Sequence, residues 1–510
     1  MNSALELSYE DATDISTEGT TAELLFSESE LLNFSHVEDD YVDFFYERNI
    51  PMQLSKEGPC HATGDVNADG ILDLYLGASA GSPSQILLGT KTGFVPTQED
   101  YMDVFKAMED NCATFADIDG DGDQDLLVGS GGNNVTYAKR AFRDRAYFNE
   151  NGRYEIRLNA LPPKTVNTSC IKPHDIDADG DLDLFVGARS VPGEYGLSPG
   201  SYIYMNNGKG QYLDVTEQVQ PELKLAGMIT DAIWADVLPG NDEELILVGE
   251  WMAPKILAYS EGELNIVETA LSEQSGWWQT VETIDVDADG DLDLLLGNIG
   301  ENFYLDATHD EPLILWINDF DDNGSIEKLI TKRRGGKDYP VMVKSDLASQ
   351  LPGINKQSLR HSEYAEKSID ALFPMQKLQS STIKQINTMS SMIAMNDGQG
   401  NFEMRRLNDE AQLSCINAFA VLDLDEDGDE DVVCAGNNHY LLPQFSLLDA
   451  SRGEVLINDG GALTYMDPRT TGLNLQGTVR ELAVIDKNGK KNLLAMINNQ
   501  RAKLLQLNKR

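Results

Sequence analysis

The stretch Asp175-Ile176-Asp177-Ala178-Asp179-Gly180-Asp181-Leu182-Asp183-Leu184-Phe185-Val186-Gly187 decides how this chain is read. Carboxylates stand at loop positions 1, 3, 5 and 9, and glycine stands at position 6. Position 7, Asp181, can lend its backbone carbonyl. A hard cation such as calcium takes six to eight oxygens at about 2.3–2.6 Å. Alternate residues of a tight loop converge on one point, and the glycine permits the sharp turn. An EF-hand would need a bidentate glutamate at position 12, and Val186 stands there, inside an apolar run. The loop therefore feeds a strand, not a helix.

The pattern recurs. Counting position 7 with the rest, one loop carries Asp65, Asn67, Asp69, Ile71 and Asp73, and the next Asp117, Asp119, Asp121, Asp123 and Asp125. Asp285, Asp287, Asp289, Asp291 and Asp293 form another, and Asp423, Asp425, Asp427, Asp429 and Asp431 another. Each runs into a short apolar strand such as Leu126-Leu-Val-Gly129. Two degenerate copies complete the series. The one at Asp236 keeps its ends, with Glu244 last, but loses the inner carboxylates; the one at Val484 lacks its first ligand. Loop starts are about 50–60 residues apart, except across one long gap from Asp285 to Asp423. Self-similarity at such a period marks a propeller, solenoid or array.

Hairpins fix which. Asn/Gly turns follow the loops at Leu88–Phe94, Phe148–Tyr154, Met205–Tyr212, Tyr259–Leu264, Met395–Phe402 and Ile457–Leu463. Such turns are strong hairpin signals. Four strands per unit, with turns at both ends, make a propeller blade. The chain reads as all-β, a seven-bladed β-propeller with eight blades as the alternative, carrying Asp-rich calcium loops and a partly helical insertion. The last unit ends after three strands. A strand from the lead-in, residues 1–58, is expected to pair beside Lys503–Leu507 and close the ring formed by residues 59–510. Leu5–Glu10 and Ala22–Phe26 are the strand candidates, and Phe34–Phe44 reads as an acidic, aromatic lead-in.

The long gap marks an insertion at about residues 300–390. It holds a sixth loop with the same spacing: Asp319, Asp321, Asn323, Ser325 and Glu327. Beyond Lys337-Asp-Tyr-Pro340 the pattern predicts helix from about Lys344 to Phe373, capped by Ser345-Asp346 and broken at Pro352, with a second helix over Ser358–Leu372. Tyr304, Trp316 and Tyr339 lie in this insertion, with Trp251, Trp277 and Trp278 upstream. Such an insertion either forms part of a binding face or caps the ring.

Composition narrows the function. The formal net charge is −46 over 510 residues, and the five ring loops hold 25 of the 85 acids. Nucleic acid is excluded as a partner because no basic patch is available to neutralise phosphates. No apolar run approaches the ~20 residues of a membrane span. The start, Met1-Asn-Ser-Ala-Leu-Glu-Leu-Ser8, has neither the basic region nor the apolar core of a signal peptide. Loops that need about millimolar calcium belong outside the cell, so a mature form or a piece of a longer secreted chain is expected, extracellular or in the cell envelope. The five cysteines do not form a disulfide framework. Cys60, Cys112 and Cys170 each precede a loop's first aspartate by five residues. A repeated small packing position is the expectation, with a thiol cluster as the sharper alternative.

The Asp-x-Asp-x-Asp-Gly-x-x-Asp-apolar-Gly repeats resemble FG-GAP/VCBS repeats, the class found in integrin α propellers and in many bacterial envelope proteins. The Asn318–Glu327 loop, the Lys-Asp-Tyr-Pro motif and the helical pattern resemble a bacterial group, secreted VCBS proteins associated with ASPIC/UnbV-type domains. The resemblance spans about Gly58 to the end and implies a calcium-stabilised extracellular propeller, not a particular reaction. The complete ligand sets of the loops lead us to expect five or six calcium ions.

None of the six histidines forms a His-x-x-x-His pair, and neither a P-loop nor a dinucleotide fingerprint is present. His61 and His174 read as structural strand residues. The expected function is a calcium-binding, extracellular binding or adhesion module at the bacterial cell surface. It would engage a surface protein or a glycan, as a monomer or within a larger secreted chain. A calcium-dependent, lyase-like enzyme acting on polysaccharide and a structural spacer are the alternatives.

Overall fold

The apolar run after each loop is explained by burial on both sides. In a computed structural model that describes residues 24–29, 32–97, 100–136, 139–150, 152–240, 242–487 and 489–508, Asp183–Ser190 is the second strand of a four-stranded antiparallel sheet. Side chains alternate across a strand. Leu184 packs with Leu127 and Phe148 of the preceding sheet, whereas Phe185 packs with Leu245 and Leu257 of the following one. With neighbours on both faces, no position in the run can be polar without cost.

Seven sheets share this plan among the described residues. Their first strands are His61–Gly64, Asp110–Ala116, Asn167–His174, Met228–Ala235, Thr280–Ile284, Ile416–Leu422 and Val479–Lys487. These first strands lie against one another from sheet to sheet, which makes them the inner strands. An apolar cluster seals each junction. The one between the last sheet and the first joins Leu494 and Leu504 to Leu74 and Leu87, so the ring closes. Phe26–Ser29 pairs antiparallel with Lys503–Leu507, Phe26 opposite Leu507, and supplies the fourth strand of the last sheet. The strand thus begins where the Ala22–Phe26 reading ends. Leu5–Glu10, like Ala22 and Glu23, lies outside the described residues.

The insertion leaves the fifth sheet between its second strand, Asp293–Gly297, and its third, Met392–Asn396. That connection is on the face opposite the Asp loops, because antiparallel strands alternate direction. The insertion has its own four-stranded sheet, in the order Lys337–Pro340, Glu327–Arg334, Leu313–Asn318, Thr382–Ile386. Its helical part is five short helices, not two long ones: Lys344–Gln350, Ile354–Gln357, His361–Ala365, Ile369–Leu372 and Met375–Gln379. The first has Val343 at its N-cap, without a side-chain cap bond, so the expected Ser345-Asp346 cap is not used. Ser368 interrupts the Ser358–Leu372 stretch, which brings both Tyr364 and Ile369 into one cluster with Trp316 and Phe320.

Lead-in and insertion together cap that face. Ile50, Met52 and Leu54 meet Trp251, Trp277, Phe303, Leu315 and Ile330 in one cluster. Trp251, Trp277 and Trp278 are buried and form core. The three cysteines are packing residues. Each is a buried free thiol placed across from a glycine in or just after the second strand, Cys60 with Gly77, Cys112 with Gly129 and Cys170 with Gly187. A Cβ on any of these glycines would meet the sulfur within 2.5 Å.

Candidate metal loops on the open face

Each loop is held open by its own backbone. In the Asp175 loop, Ala178 and Gly180 take positive φ of 58° and 97°, and the chain wraps around a centre. Asp175 accepts backbone hydrogen bonds from Asp179 and Gly180 at 3.0 and 3.1 Å, and Asp179 accepts one from Asp181 at 3.0 Å. The Asp65, Asp117, Asp285, Asp319 and Asp423 loops repeat the bond from position 6 to position 1, at 2.8 to 3.2 Å. The remaining lone pairs of these carboxylates converge.

In five loops, three carboxylates each place one oxygen within 4.8 Å of the other two. The groups are Asp117, Asp119 and Asp125; Asp175, Asp177 and Asp183; Asp423, Asp425 and Asp431; Asp319, Asp321 and Glu327; and Asp285, Asp287 and Asp289. The Asp65 loop has Asn67 in place of one carboxylate, and no such group of three forms there among the described residues. None of the six loops contains histidine or cysteine. An all-oxygen donor set with a flexible loop suits a hard cation over a soft one.

Position 9 has a second task. Asp183 is buried, with one oxygen accepting from the Ile176 N–H at 3.2 Å and the other from the Asn206 N–H at 2.8 Å. Asp73, Asp125, Asp293 and Asp431 do the same with their own loops and hairpins. Burial pushes the Asp125 carboxyl up to about 7 and those of Asp183 and Asp293 up to about 6; the backbone N–H bonds oppose this, and the neighbouring loop carboxylates add to it. A cation among them would favour the charged forms instead.

Position 7 behaves differently. The Asp181 and Asp291 side chains turn towards the hairpin, where a Cβ on Gly208 or Gly398 would meet them at 2.6 and 2.1 Å. These glycines also take positive φ of 71° and 67°, so two demands fix them. The hairpin asparagine, read from sequence only as a turn former, reaches one blade back. Asn149, Asn206, Asn396 and Asn458 donate to the carbonyls of Val66, Ile118, Val237 and Val286 at 2.7 to 3.0 Å. Its recurrence at the same hairpin position is the signal that could have shown this.

The degenerate copies keep structure without the cluster. Glu244 accepts from Val237 and Leu238 at 3.0 and 3.1 Å, as a position-9 residue would, but no inner carboxylates accompany it. At Val484 the strand continues through Lys487 and turns at once, Lys487 opposite Lys490. Asn241 and Asn488 lie outside the described residues. His174 stacks on Trp234 at 4.4 Å, as a strand residue.

The ring axis holds a charged cavity of about 260 Å³ that sequence reading did not anticipate. His61, Lys172, Arg189, Asp231, Glu282, Arg480 and Glu481 line it, with Glu57 from the lead-in. The charges largely answer one another: Lys172 with Asp231 at 3.1 Å, Arg189 with Glu57 and Glu250, and His61 with Glu481.

The family model described as FG-GAP-like repeat matches residues 65–128 and 117–186. No curated protein matches the chain. Among solved structures, the V. cholerae biofilm matrix protein Bap1 is similar at 12% identity and TM-score 0.39, covering 95% of this chain and 91% of that one. The structure titled Dos1 propeller is similar at 9% identity and TM-score 0.40, covering 92% and 97%. YCF48 bound to D1 peptide is similar at 10% identity and TM-score 0.41, covering 93% and 100%. The match spans the first three Asp loops and ends in the second strand of the third sheet, so the protein carries FG-GAP-like repeats over residues 65–186 on a β-propeller fold.

Proposed function

We propose that the protein is a calcium-binding, extracellular β-propeller that serves as a binding or adhesion module at the bacterial cell surface, with a surface protein or glycan as partner. The observation that carries it is the set of five carboxylate triplets, each with its oxygens within 4.8 Å. Like charges that close repel strongly unless a cation sits among them. In each loop, positions 1, 3 and 5 would offer side-chain oxygens, position 7 its carbonyl and position 9 a carboxylate. Calcium there would staple together the two strands that flank each loop, at four triplets around the ring and one in the insertion, with the Asp65 loop as a sixth, weaker site. Weak oxygen loops fill only where calcium is about millimolar, which favours an extracellular site. None of the helices among the described residues is long and apolar enough to cross a membrane.

The test has two arms. Elemental analysis of protein freed of loose metal should find five or six calcium ions; two or fewer refutes the metal reading. Glycan-array and bacterial-cell binding should be saturable with calcium and lost with chelator. A calcium-loaded, folded protein that binds neither refutes the module.

A further inference from the structure

The insertion departs in charge from the rest of the protein. Residues 301–390 hold 11 lysines and arginines against 13 aspartates and glutamates, whereas the whole chain holds 39 against 85. Several of these cations gather at one cleft. It lies between residues 304–306, the strands Glu327–Arg334 and Lys337–Pro340, and the helices Lys344–Gln350 and His361–Ala365. Its volume is about 630 Å³, the size of a small-ligand site.

The lining is cationic and aromatic. Lys332, Arg334 and Lys344 face it, and Asp306 is its single carboxylate. Lys332 pairs with Asp306, and Lys344 donates to Asn355 at 2.8 Å. Arg334 is exposed at the end of its strand, just before the turn at Gly335-Gly336, and among the described residues no carboxylate lies within 4.0 Å of it. Tyr304 is 65% exposed, and its ring is stacked on Phe445 at 5.6 Å and 26°, so the platform is fixed from behind. Tyr339 stands on the opposite strand, paired with Lys332.

A braced aromatic face in the same cleft as a guanidinium without an ion-pair partner among the described residues suits a ring-bearing anion. The apolar face of a sugar ring can lie on a tyrosine, and a carboxylate can take two N–H donors of one guanidinium. We propose that this cleft binds an acidic saccharide, with Arg334 holding a uronate carboxylate and Tyr304 the sugar face. The proposal rests on the binding-module reading but not on the calcium loops. Arg334 stands at the far end of strand Glu327–Arg334 from the insertion's own loop, and the other loops are on the opposite face of the ring.

The experiment is calorimetric titration of the full chain, loaded with calcium and dialysed free of excess ion. The ligands are a galacturonic acid hexasaccharide and its fully methyl-esterified form. The acid should bind saturably, and the ester at least about tenfold more weakly, because it lacks the charge-assisted bonds. Arg334→Ala should lose a similar factor for the acid, and Tyr304→Ala should weaken both ligands. Lys337→Ala, on the same hairpin but outside the cleft, should bind like the parent. The proposal is overturned by no binding of the acid, by an Arg334→Ala variant that binds like the parent, or by an equal loss in Lys337→Ala. Equal competition by a hexaglutamate peptide also overturns it, since that anion has no ring. If it fails while the protein still binds glycans or cells, the module reading stands and only this site falls.

Discussion

The side-chain amide of Asn458 donates to the carbonyl of Val286 at 2.8 Å, although the two are 172 residues apart. Asn458 opens the hairpin of one blade, and Val286 is the second residue of the preceding blade's Asp loop. The backbone N–H of Asn458 meanwhile donates to Asp431 at 2.7 Å, in its own loop. One residue therefore ties two loops together, and Asn149, Asn206 and Asn396 repeat the arrangement. Asn458→Ala leaves a buried carbonyl without its donor, which costs about 1–3 kcal/mol. Urea denaturation should show that loss, while Asp459→Ala, exposed at the next position, should stay within about 0.5 kcal/mol.

Calcium should raise the melting temperature, since an ion that binds only the folded state stabilises by about 2.7 kcal/mol per site at 100 times Kd. Asp177→Ala removes one of three converging carboxylates and should lower the calcium-form melting temperature. Asp236→Ala should not, because Leu238 and Gly240 stand at positions 3 and 5 of its loop. Overlaid melting curves in chelator and in millimolar calcium, at fixed ionic strength, would contradict the structural-metal reading.

Position 9 can be separated from the other ligand positions. Both oxygens of Asp183 accept backbone N–H bonds, so Asp183→Asn turns an amide donor towards an existing donor. It should destabilise the protein by about 1–3 kcal/mol even in chelator. Asp177→Asn should matter in calcium and much less in chelator. Equal behaviour of the two variants in chelator would show that position 9 has no structural task of its own.

The loops were legible because each rests on local chemistry repeated several times, and the closing strand because the last unit ends one strand short. Carboxylate spacing, a turn glycine and an apolar run recur together, and each copy supports the others. The helices of the insertion were less legible. Their boundaries answer to burial of Tyr364, Ile369 and Leu372 against Trp316, not to propensity along the chain. The axial cavity was not legible, because Glu57, Arg189 and Arg480 come from separate parts of the sequence and meet only when the ring closes. Position 7 was legible only as a backbone carbonyl ligand; the Asp181 and Asp291 side chains face a later hairpin, a contact no single-loop pattern encodes.

Glu454 gives a pH test that no metal loop enters. It begins the third strand of its blade, and burial pushes its carboxyl up to about 7 against the opposing bonds from Ser451 and the Arg452 N–H. The neighbouring Cys434 and Tyr465 are themselves shifted upward and stay neutral, and among the described residues Glu454 forms no ion pair. In the unfolded chain the group titrates near its ordinary value of 4.5. Between the two values the folded protein keeps the proton that the unfolded chain releases, so folding stability falls as pH rises. The contribution is complete below about pH 4.5, and it is lost once the pH has risen through about 7. The slope is about 1.4 kcal/mol per pH unit within that window. Glu454→Gln keeps the shape and removes the titration. It should therefore lie within about 1 kcal/mol of the parent at pH 5 and exceed it by about 3 kcal/mol at pH 8. Urea midpoints at both pH values, in constant calcium, decide it: a difference between variant and parent that does not change with pH would mean that Glu454 is not the buried, uncompensated acid the fold makes it.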